Sequence, residues 1–211
     1  MNVLKSLFVW IACAVILIIT FPVISLVWLI TLPFDSNRRV MHRMMIYLSL
    51  TMTYLLPLWK IEIRGREKFQ KGQRYIIISN HQSILDIVFI TCLRYRFKWV
   101  SKAENLKTPF IGLYLRMARY VTVDRGNKES KEEMMGQCYG WLKKGISVMM
   151  FPEGTRSVDG EIGFFKRGSF QLAITTKTPL LPVLIDGSGG VLPKHGIIFN
   201  TGHKSVLLPK S

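Results

Sequence analysis

Cysteine and histidine are scarce in this chain of 211 residues. The three cysteines, Cys13, Cys92 and Cys138, are odd in number and show no paired ligand spacing. We therefore expect buried thiols in a reducing compartment rather than a disulfide framework. The four histidines show no metal-ligand spacing with cysteines or carboxylates, so no metal site is expected.

Several catalytic signatures are also missing from the sequence. It contains no Gly-x-Ser-x-Gly turn of a serine hydrolase, no Walker-type phosphate loop and no Gly-x-Gly-x-x-Gly dinucleotide turn. It has no internal repeat and no low-complexity segment. These absences argue against a serine hydrolase of that type, a P-loop nucleotidase and a dinucleotide-binding enzyme.

Acidic residues are few, with 13 Asp and Glu against 29 Lys and Arg, which gives a formal net charge of +16 and a pI of about 10.0. Residues 1–59 carry +3 of this charge, and the remainder carries +13. A basic surface attracts anionic lipid headgroups, nucleic acid or an acidic protein. Nucleic acid is the weaker reading, because the basic residues are scattered, no nucleic-acid-binding motif is present and the apolar N-terminus would have no role.

The longest uncharged run, residues 6–34, lies at the N-terminus. As a helix it would extend about 43 Å, which exceeds the ~30 Å hydrocarbon core of a bilayer. It is too long for a signal-peptide core, and no small-residue cleavage site follows it. It also exceeds ordinary core helices. We predict a membrane helix that Pro22, near its middle, can kink.

A second uncharged run, residues 44–59, follows a basic connector and is short for a membrane span. A spanning hairpin would carry Arg38, Arg39 and Arg43 across the membrane, although basic loops usually stay inside. Two arrangements avoid this conflict. Either both helices enter and leave one leaflet, or the first spans and the second lies along the surface. We favour the one-leaflet hairpin on the cytoplasmic face of the cell membrane.

Beyond residue 60, short apolar runs alternate with helical patterns. This alternation predicts an α/β domain, residues 60–211, with a mostly parallel or mixed central sheet flanked by helices, behind an N-terminal two-helix membrane anchor, residues 1–59. The predicted strands are residues 60–65, 74–79, 96–101, 119–123, 146–151, 181–186 and 196–200. The predicted helices are residues 83–93, 105–117, 128–144 and 168–177.

Residues 80–86 (Asn-His-Gln-Ser-Ile-Leu-Asp) place a histidine and an aspartate five residues apart, just after a predicted strand. A neutral imidazole accepts a proton near pH 7, and a carboxylate on its other nitrogen fixes the tautomer. With His81 in the turn and Asp86 inside the following helix, the two side chains can meet. Ser83 is predicted to cap that helix rather than to act as a nucleophile.

Residues 151–157 (Phe-Pro-Glu-Gly-Thr-Arg-Ser) follow a second apolar run, residues 146–150. A turn of this composition can present backbone N–H groups and the guanidinium of Arg156 to an anion. A surface turn with a salt bridge is the simpler alternative for this segment taken alone.

Together these segments resemble the glycerolipid acyltransferase family typified by 1-acyl-sn-glycerol-3-phosphate acyltransferase. The family's first motif, His-x-x-x-x-Asp, matches residues 80–86, and its third motif matches residues 151–157 in full. Its second motif region resembles residues 101–125, and its fourth resembles residues 181–185. The resemblance covers about residues 60–195, with four motifs in the right order.

Two departures from the family pattern are present. The usual small-Gly-Gly stretch is replaced by residues 117–120 (Met-Ala-Arg-Tyr), so we expect a different turn there. The sequence also ends soon after Leu207 and Leu208, so we expect the last strand or helix to be absent or shortened.

The resemblance implies transfer of an acyl group from a thioester to the sn-2 hydroxyl of 1-acyl-glycerol-3-phosphate, giving phosphatidic acid for phospholipid synthesis. His81 would be the general base, and Asp86 would orient it. The phosphate would be held by a set drawn from the second and third motifs. That set is Arg125, Arg156 and Lys102, with Glu153, Gly154 and Thr155 shaping the turn.

The resemblance implies no cofactor, with acyl-CoA or acyl carrier protein as the co-substrate and lysophosphatidic acid in the membrane as the acceptor. A different lysolipid or glycolipid acceptor is the alternative within the family. A basic membrane-surface binding protein is the alternative outside enzymes, although it leaves the His81–Asp86 pair without a role. Lys166 and Arg167 are candidates for headgroup or donor binding, or form a solvated basic turn.

Overall fold

A computed structural model describes residues 3–55, 60–200 and 204–209. Within these ranges a seven-stranded sheet is flanked by helices on both faces. The helices are α1 (Val3–Thr31), α2 (Arg39–Leu55), α3 (Leu85–Thr91), α4 (Ile111–Met117), α5 (Lys128–Lys143), α6 (Gly168–Thr176) and α7 (Ser188–Val191). The strands are β1 (Lys60–Ile63), β2 (Ile76–Ser79), β3 (Phe97–Lys102), β4 (Val121–Val123), β5 (Ser147–Met150), β6 (Leu180–Asp186) and β7 (Lys204–Pro209).

The strand order is β1-β7-β6-β2-β5-β3-β4. Five strands, β6, β2, β5, β3 and β4, run parallel, and the pairing of β6 with β7 is antiparallel. β1 pairs parallel with β7 and so runs against the other five. The predicted α/β architecture with a mostly parallel or mixed sheet is confirmed.

The central strands are buried on both faces, as expected for parallel strands covered by helices. On β2, Ile77 packs in a cluster with side chains of α1, α2, α3 and α4, whereas Ile76 and Ile78 pack in a second cluster with α5 and α6. β5 alternates in the same way, with Met149 in the first cluster. This period-2 alternation divides the core into two layers.

All five parallel strands end at one edge of the sheet. The first three motifs reach this edge, because β2 precedes residues 80–84, β3 ends at Lys102, β4 precedes Arg125 and β5 precedes residues 151–157, whereas the fourth motif lies within β6. The crevice outside the carboxyl ends of parallel strands is the usual position for a ligand site.

The N-terminal helix α1 is 29 residues long, with Pro22 inside it, and only 11% of its most apolar 18-residue window is buried. Within the described residues it is the one helix long and apolar enough to cross a membrane. Its side chains Val9 and Ile24 nevertheless join the main core. Residues 56–59, including Pro57 of the second apolar run, lie outside the described residues.

The second helix, α2, packs on the α/β core. The hydroxyl of Tyr114 donates a hydrogen bond to the Met41 carbonyl at 2.7 Å. The ring of His42 contacts the Tyr95 carbonyl through Nε2 at 2.9 Å and the Tyr120 hydroxyl through Nδ1 at 2.8 Å. Burial lowers the pKa of His42 to about 4, so this imidazole is neutral near pH 7.

The prediction of one continuous helix over residues 105–117 is wrong, because the segment is divided into two elements. The chain forms a 3-10 turn, Ala103–Lys107, and then α4. Pro109 explains the break, because a residue before proline is disfavoured in the helical region. Thr108 is accordingly extended (φ −74°, ψ 126°), and Phe110 has a positive φ of 60°.

The predicted strand over residues 196–200 is also wrong, because this segment is a loop packed on α1. The indole Nε1 of Trp10 donates to the Ile197 carbonyl at 2.8 Å, and the Phe199 N–H donates to the Ser6 hydroxyl at 3.0 Å. These backbone groups therefore bond to α1 rather than to the sheet. The last strand or helix was expected to be absent or shortened, and the structure has a six-residue final strand, β7.

The cysteines are free thiols, with Cys92 and Cys138 buried and Cys13 half-buried. Burial raises the pKa of the Cys138 thiol to about 12, which makes it unreactive near neutral pH. The prediction of buried thiols therefore holds for Cys92 and Cys138 and is wrong for Cys13.

Gly112 provides a test of the packing of α4. A Cβ at this position would lie 2.1 Å from the Leu106 carbonyl oxygen, which is backbone and cannot rotate away. We expect Gly112→Ala to lower the free energy of unfolding by about 1–3 kcal/mol through overpacking. The matched control is Gly140→Ala in α5, where an added Cβ meets nothing within 4 Å.

Gly140→Ala should raise the free energy of unfolding by about 0.5–1 kcal/mol, because alanine restricts the unfolded chain more than glycine does. Both values are measured by denaturant unfolding of the full chain in the same neutral detergent. Equal stability of the Gly112→Ala variant and the parent chain would contradict the close approach of α4 to the 3-10 turn.

Candidate active site

The pair predicted from sequence, His81 and Asp86, is in contact. The Nδ1 atom of His81 lies 2.8 Å from Oδ2 of Asp86. His81 is in the turn after β2, and Asp86 is in the first turn of α3. This geometry is the one expected from the five-residue spacing when the histidine lies outside the helix.

Asp86 is fully buried and is held by the backbone of the same turn. Its Oδ2 atom also accepts the N–H groups of Gln82 at 2.7 Å and Ser83 at 2.9 Å. Three nitrogen atoms thus contact this one oxygen, whereas Oδ1 has no partner among the described residues. Because an ionised carboxylate only accepts, Nδ1 of His81 carries the hydrogen, and the lone pair of Nε2 is available as a base.

The imidazole plane is fixed by stacking as well as by hydrogen bonding. Its ring lies on that of Phe151, with centroids 3.9 Å apart and planes 8° apart. Phe151 in turn stacks on Trp99, with centroids 5.8 Å apart. The first and third motifs are therefore joined through the ring that carries the candidate base.

Two other residues of the first motif are structural. The Ser83 hydroxyl is fully buried, donates to the Leu192 carbonyl at 2.7 Å and accepts the Leu85 N–H at 3.2 Å. The prediction that Ser83 caps the helix is wrong in its position, because Ile84 is the N-cap residue of α3 and has no side-chain cap, whereas Ser83 contacts the first turn from one residue earlier. The amide of Asn80 accepts from the N–H and donates to the carbonyl of Ile185, both at 2.8 Å, and so joins β2 to β6.

Glu153 links the third motif to the backbone of the first. Its Oε1 accepts the N–H of His81 at 2.8 Å, and its Oε2 accepts the N–H of Gly163 at 3.0 Å. The Ser157 N–H adds a bond to the His81 carbonyl at 2.7 Å. Glu153 is buried, and both its oxygens are occupied by backbone donors, so its place in the structure is that of a turn-shaping residue.

His81 opens into a cavity of about 540 Å³. All three predicted phosphate-binding cations, Lys102, Arg125 and Arg156, line the same cavity, together with Gly154 and Thr155. The other lining residues that are apolar are Met45, Ile84, Ile87, Trp99, Val100, Ile111, Leu115 and Phe151. The cavity thus combines a base, positive charge and apolar surface.

The cations of this cavity differ in their partners. Lys102 forms an ion pair with Glu104 at 2.8 Å, and both side chains are about half exposed. Arg125 is half-buried, and burial lowers the pKa of its guanidinium, an effect that Glu104 opposes. Among the described residues, Arg125 and Arg156 form no ion pair with a carboxylate.

Lys194 is a cavity residue that the sequence did not indicate. Its Nζ donates to the Arg156 carbonyl at 2.8 Å and to the Thr155 hydroxyl at 3.3 Å. It follows the short helix α7, outside every motif, so no spacing or composition signal marks it. It brings a further positive charge to the turn that presents Arg156.

Gly154 and Lys166 explain the shape of the turn. Gly154 has φ +78°, which favours glycine, and an added Cβ would lie 2.6 Å from the ammonium nitrogen of Lys166. Lys166 therefore lies against the third motif, whereas Arg167 is exposed at the start of α6. Among the described residues, neither of these two side chains lines the cavity.

A smaller apolar cavity of about 110 Å³ adjoins the first one. Both are lined by Met45, Ile111 and Leu115. The remaining walls of the smaller cavity come from α1, α2 and α4 and the start of β4: Leu17, Thr20, Phe21, Ile24, Leu48, Phe110, Tyr114 and Tyr120. Apolar surface therefore continues from His81 to the inner side of α1.

Taken together, a histidine–carboxylate pair, nearby cations and an adjoining apolar cavity define a site suited to general base catalysis on an anionic, amphipathic substrate. Comparisons with known proteins agree with this class. Residues 60–186 match the family model described as Acyltransferase. The match covers more than half of the chain, so the chain belongs to the Acyltransferase family.

Relatives of known name share this assignment. The chain is 36% identical over 180 residues to a chloroplastic 1-acyl-sn-glycerol-3-phosphate acyltransferase of Arabidopsis thaliana, covering 84% of this chain and 50% of the relative. It is 30% identical over 152 residues to the human 1-acyl-sn-glycerol-3-phosphate acyltransferase alpha, covering 71% and 52%. The chain thus spans about half the length of these curated relatives.

A solved structure extends the likeness to nearly the whole chain. The 1-acyl-sn-glycerophosphate acyltransferase PlsC from Thermotoga maritima superposes with a TM-score of 0.84 at 26% sequence identity. The match covers 99% of this chain and 83% of that chain, so it includes the N-terminal helices as well as the sheet.

Proposed function

We propose that the protein transfers a fatty acyl group from a thioester to the sn-2 hydroxyl of 1-acyl-glycerol-3-phosphate and so forms phosphatidic acid. The observation that carries this proposal is the orientation of His81. Its Nδ1 is bound to Asp86 at 2.8 Å, and its ring lines a cavity that also holds Arg125 and Arg156. The names of the relatives support the same acceptor.

The reaction follows from the protonation state of the pair. Nε2 of His81 takes the proton from the acceptor hydroxyl while its oxygen attacks the thioester carbonyl. Asp86 stays ionised and stabilises the imidazolium. The tetrahedral intermediate collapses with cleavage of the C–S bond, and the leaving thiolate takes the proton back from His81. No acyl-enzyme is required, because a thioester is already activated.

The lining residues suggest how the acceptor is held. The phosphate lies between Arg125 and Arg156, with Lys102 and Lys194 adding positive charge. Gly154 and Thr155 form the turn, and Glu153 positions its backbone. The apolar walls toward α1 and α4 accommodate an acyl chain. The donor is acyl-CoA or acyl carrier protein, whose thioester carbonyl must reach the same Nε2 atom.

Replacing His81 tests the general base. His81→Ala should lower kcat by about 10²- to 10⁴-fold, the range expected for loss of a general base. The assay uses purified full-length protein with lysophosphatidic acid and each of the two thioester donors. The control is His195→Asn, which removes an exposed histidine whose positive φ of 64° asparagine tolerates.

His195→Asn should retain the turnover of the parent chain. Circular dichroism on the same preparations establishes that both variants are folded. A folded His81→Ala variant with near-normal turnover would exclude His81 as the base and with it the proposed mechanism.

Replacing the arginines tests the phosphate site. Arg125→Gln and Arg156→Gln should each lower kcat/KM for lysophosphatidic acid by about 10- to 100-fold, since a hydrogen bond to a charged group contributes about 1.5–3 kcal/mol. Lysine should substitute poorly, because it cannot make the bidentate contact of arginine. Turnover of a neutral monoacylglycerol acceptor should change much less.

The control for charge is Arg74→Gln, an exposed arginine outside the cavity that bonds weakly to Thr178 at 3.4 Å. It should leave both acceptors unaffected. Equal losses on the charged and neutral acceptors in the Arg125 and Arg156 variants would assign these residues to general support of the site rather than to phosphate binding.

The membrane mode is the second part of the proposal. Residues 1–59 anchor the enzyme in one leaflet of the cell membrane, on its cytoplasmic face. The exposed apolar surface of α1, the packing of α2 on the α/β core and the basic connector between them support this arrangement. A lysolipid then needs to rise only slightly from the leaflet to reach His81.

Single cysteines at Ser36 or Asn37, introduced after replacement of the three native cysteines, report on the position of the connector. Ser36 is exposed in the turn between α1 and α2. We expect protection from a membrane-impermeant thiol reagent in intact cells and labelling in inside-out vesicles. Labelling from outside intact cells would instead establish that the connector crosses the membrane.

A further inference from the structure

Four arginines meet where the turn between α1 and α2 touches the amino ends of β3 and β4. We call Arg38, Arg39, Arg96 and Arg119 the arginine cluster. Arg119 donates from Nη1 to the Ser36 carbonyl at 3.3 Å, which ties the start of β4 to the turn. Burial lowers the pKa of both Arg96 and Arg38, and the positive charges of Arg39 and Arg119, respectively, lower these pKa values further.

The nearest carboxylate, Asp35, offsets only part of the charge of the cluster: its negative charge raises the pKa of Arg38 and Arg96 against the larger lowering by burial. Asp35 is buried, and its two oxygens accept the backbone N–H groups of Arg39 and Val40, each at 2.7 Å. It therefore caps the N-terminus of α2 rather than pairing with a guanidinium. Among the described residues, no carboxylate lies within ion-pair distance of any of the four arginines.

Two of the guanidinium groups have buried donors without an acceptor. Arg38 is only 5% exposed, and although its Nη1 donates to the carbonyls of Leu32 and Asp35, its Nε has no partner among the described residues. The same holds for the buried Nη2 of Arg96. An unpaired buried donor is unfavourable by about 1–3 kcal/mol, so an arginine retained in this position needs another explanation.

The backbone conformation of two residues in the cluster is also unfavourable. Arg38 and Arg119 have φ values of 54° and 50°, in the left-handed region that favours glycine. A side chain with a Cβ is less stable there by about 1–2 kcal/mol. Strain that persists together with unpaired charge is characteristic of functional sites.

The surroundings identify the ligand class. Phe34 is 87% exposed and Leu32 is also exposed, and both continue the bare apolar surface of α1 up to the cluster. Positive charge at the end of an exposed apolar helix matches the phosphate and the acyl chains of a phospholipid. A purely soluble phosphate compound would leave this apolar surface uncovered.

The cluster is separate from the catalytic cavity. Arg96 precedes β3 and Lys102 ends it, so these residues are about 20 Å apart at 3.3 Å per residue. A headgroup bound at the cluster therefore cannot be the one that is held beside His81.

We propose that the arginine cluster binds the phosphate of an anionic phospholipid, at a second site on the opposite edge of the sheet from His81. This inference rests on the proposed contact of α1 with the bilayer and is independent of the acyl-transfer chemistry. The lipid is a ligand that holds the hairpin turn at the headgroup layer and is not consumed.

The test uses the full chain in neutral detergent, in the His81→Ala background so that no turnover occurs. Native mass spectrometry measures binding of dioleoyl phosphatidylglycerol and dioleoyl phosphatidylcholine. We expect Arg96→Gln and Arg119→Gln each to weaken phosphatidylglycerol binding by about 10- to 100-fold. Phosphatidylcholine binding should not change, and the control Arg74→Gln should match the parent chain for both lipids.

Three outcomes would overturn the proposal. The first is unchanged phosphatidylglycerol binding in folded Arg96→Gln and Arg119→Gln variants. The second is loss of that binding in Arg156→Gln instead, which would place the lipid in the catalytic cavity. The third is displacement of phosphatidylglycerol by millimolar inorganic phosphate, which would assign the cluster to free phosphate. None of these measurements requires an active enzyme, so the result is distinguishable from failure of the proposed reaction.

Discussion

The buried carboxylate of Asp86 is the constraint on which the site depends. One of its oxygens receives three N–H donors, from the His81 ring and from the backbone of Gln82 and Ser83. A buried carboxylate is unfavourable without hydrogen-bond donors, and these three bonds to Oδ2 supply them, whereas Oδ1 has no partner among the described residues. The same bonds fix the path of the chain between β2 and α3. Turn geometry and base tautomer are thus set by one interaction.

The parallel sheet supplies the second condition. Its five parallel strands deliver the first, second and third motifs to one edge, but strand ends alone do not fix side chains to within an ångström. Glu153 and Asn80 provide that precision, because each side chain makes two hydrogen bonds to backbone groups: Glu153 joins the third motif to the first, and Asn80 joins the first motif to the fourth. Loss of such a brace leaves the fold in place while displacing the reacting groups, which is how a residue that touches no substrate affects a rate.

The residues that sequence identified are those whose chemistry depends on local spacing. His81 and Asp86 lie within one turn, so their contact followed from the spacing once the strand was recognised. Lys194 could not be found in this way, because it reaches the third motif from 38 residues further along the chain and only the topology brings it there. The prediction of a strand over residues 196–200 was wrong for a related reason, because contacts distant in sequence decide the structure of this segment. Its apolar run resembles a strand, but α1 outcompetes the sheet for its backbone groups.

Helix α2 connects the two charged regions of the molecule. Met45 lines the catalytic cavity, whereas Arg39 at the start of the same helix belongs to the arginine cluster, about 9 Å away along the helix axis. The helix is anchored between them by the neutral His42, whose two ring nitrogens bond to the Tyr95 carbonyl before β3 and to the Tyr120 hydroxyl before β4. A rigid helix of this kind cannot tilt at one end only. In the proposed membrane mode, contact of the hairpin turn with the headgroup layer would therefore set the height of the cavity above the leaflet, and with it the access of a membrane-held acceptor to Nε2 of His81.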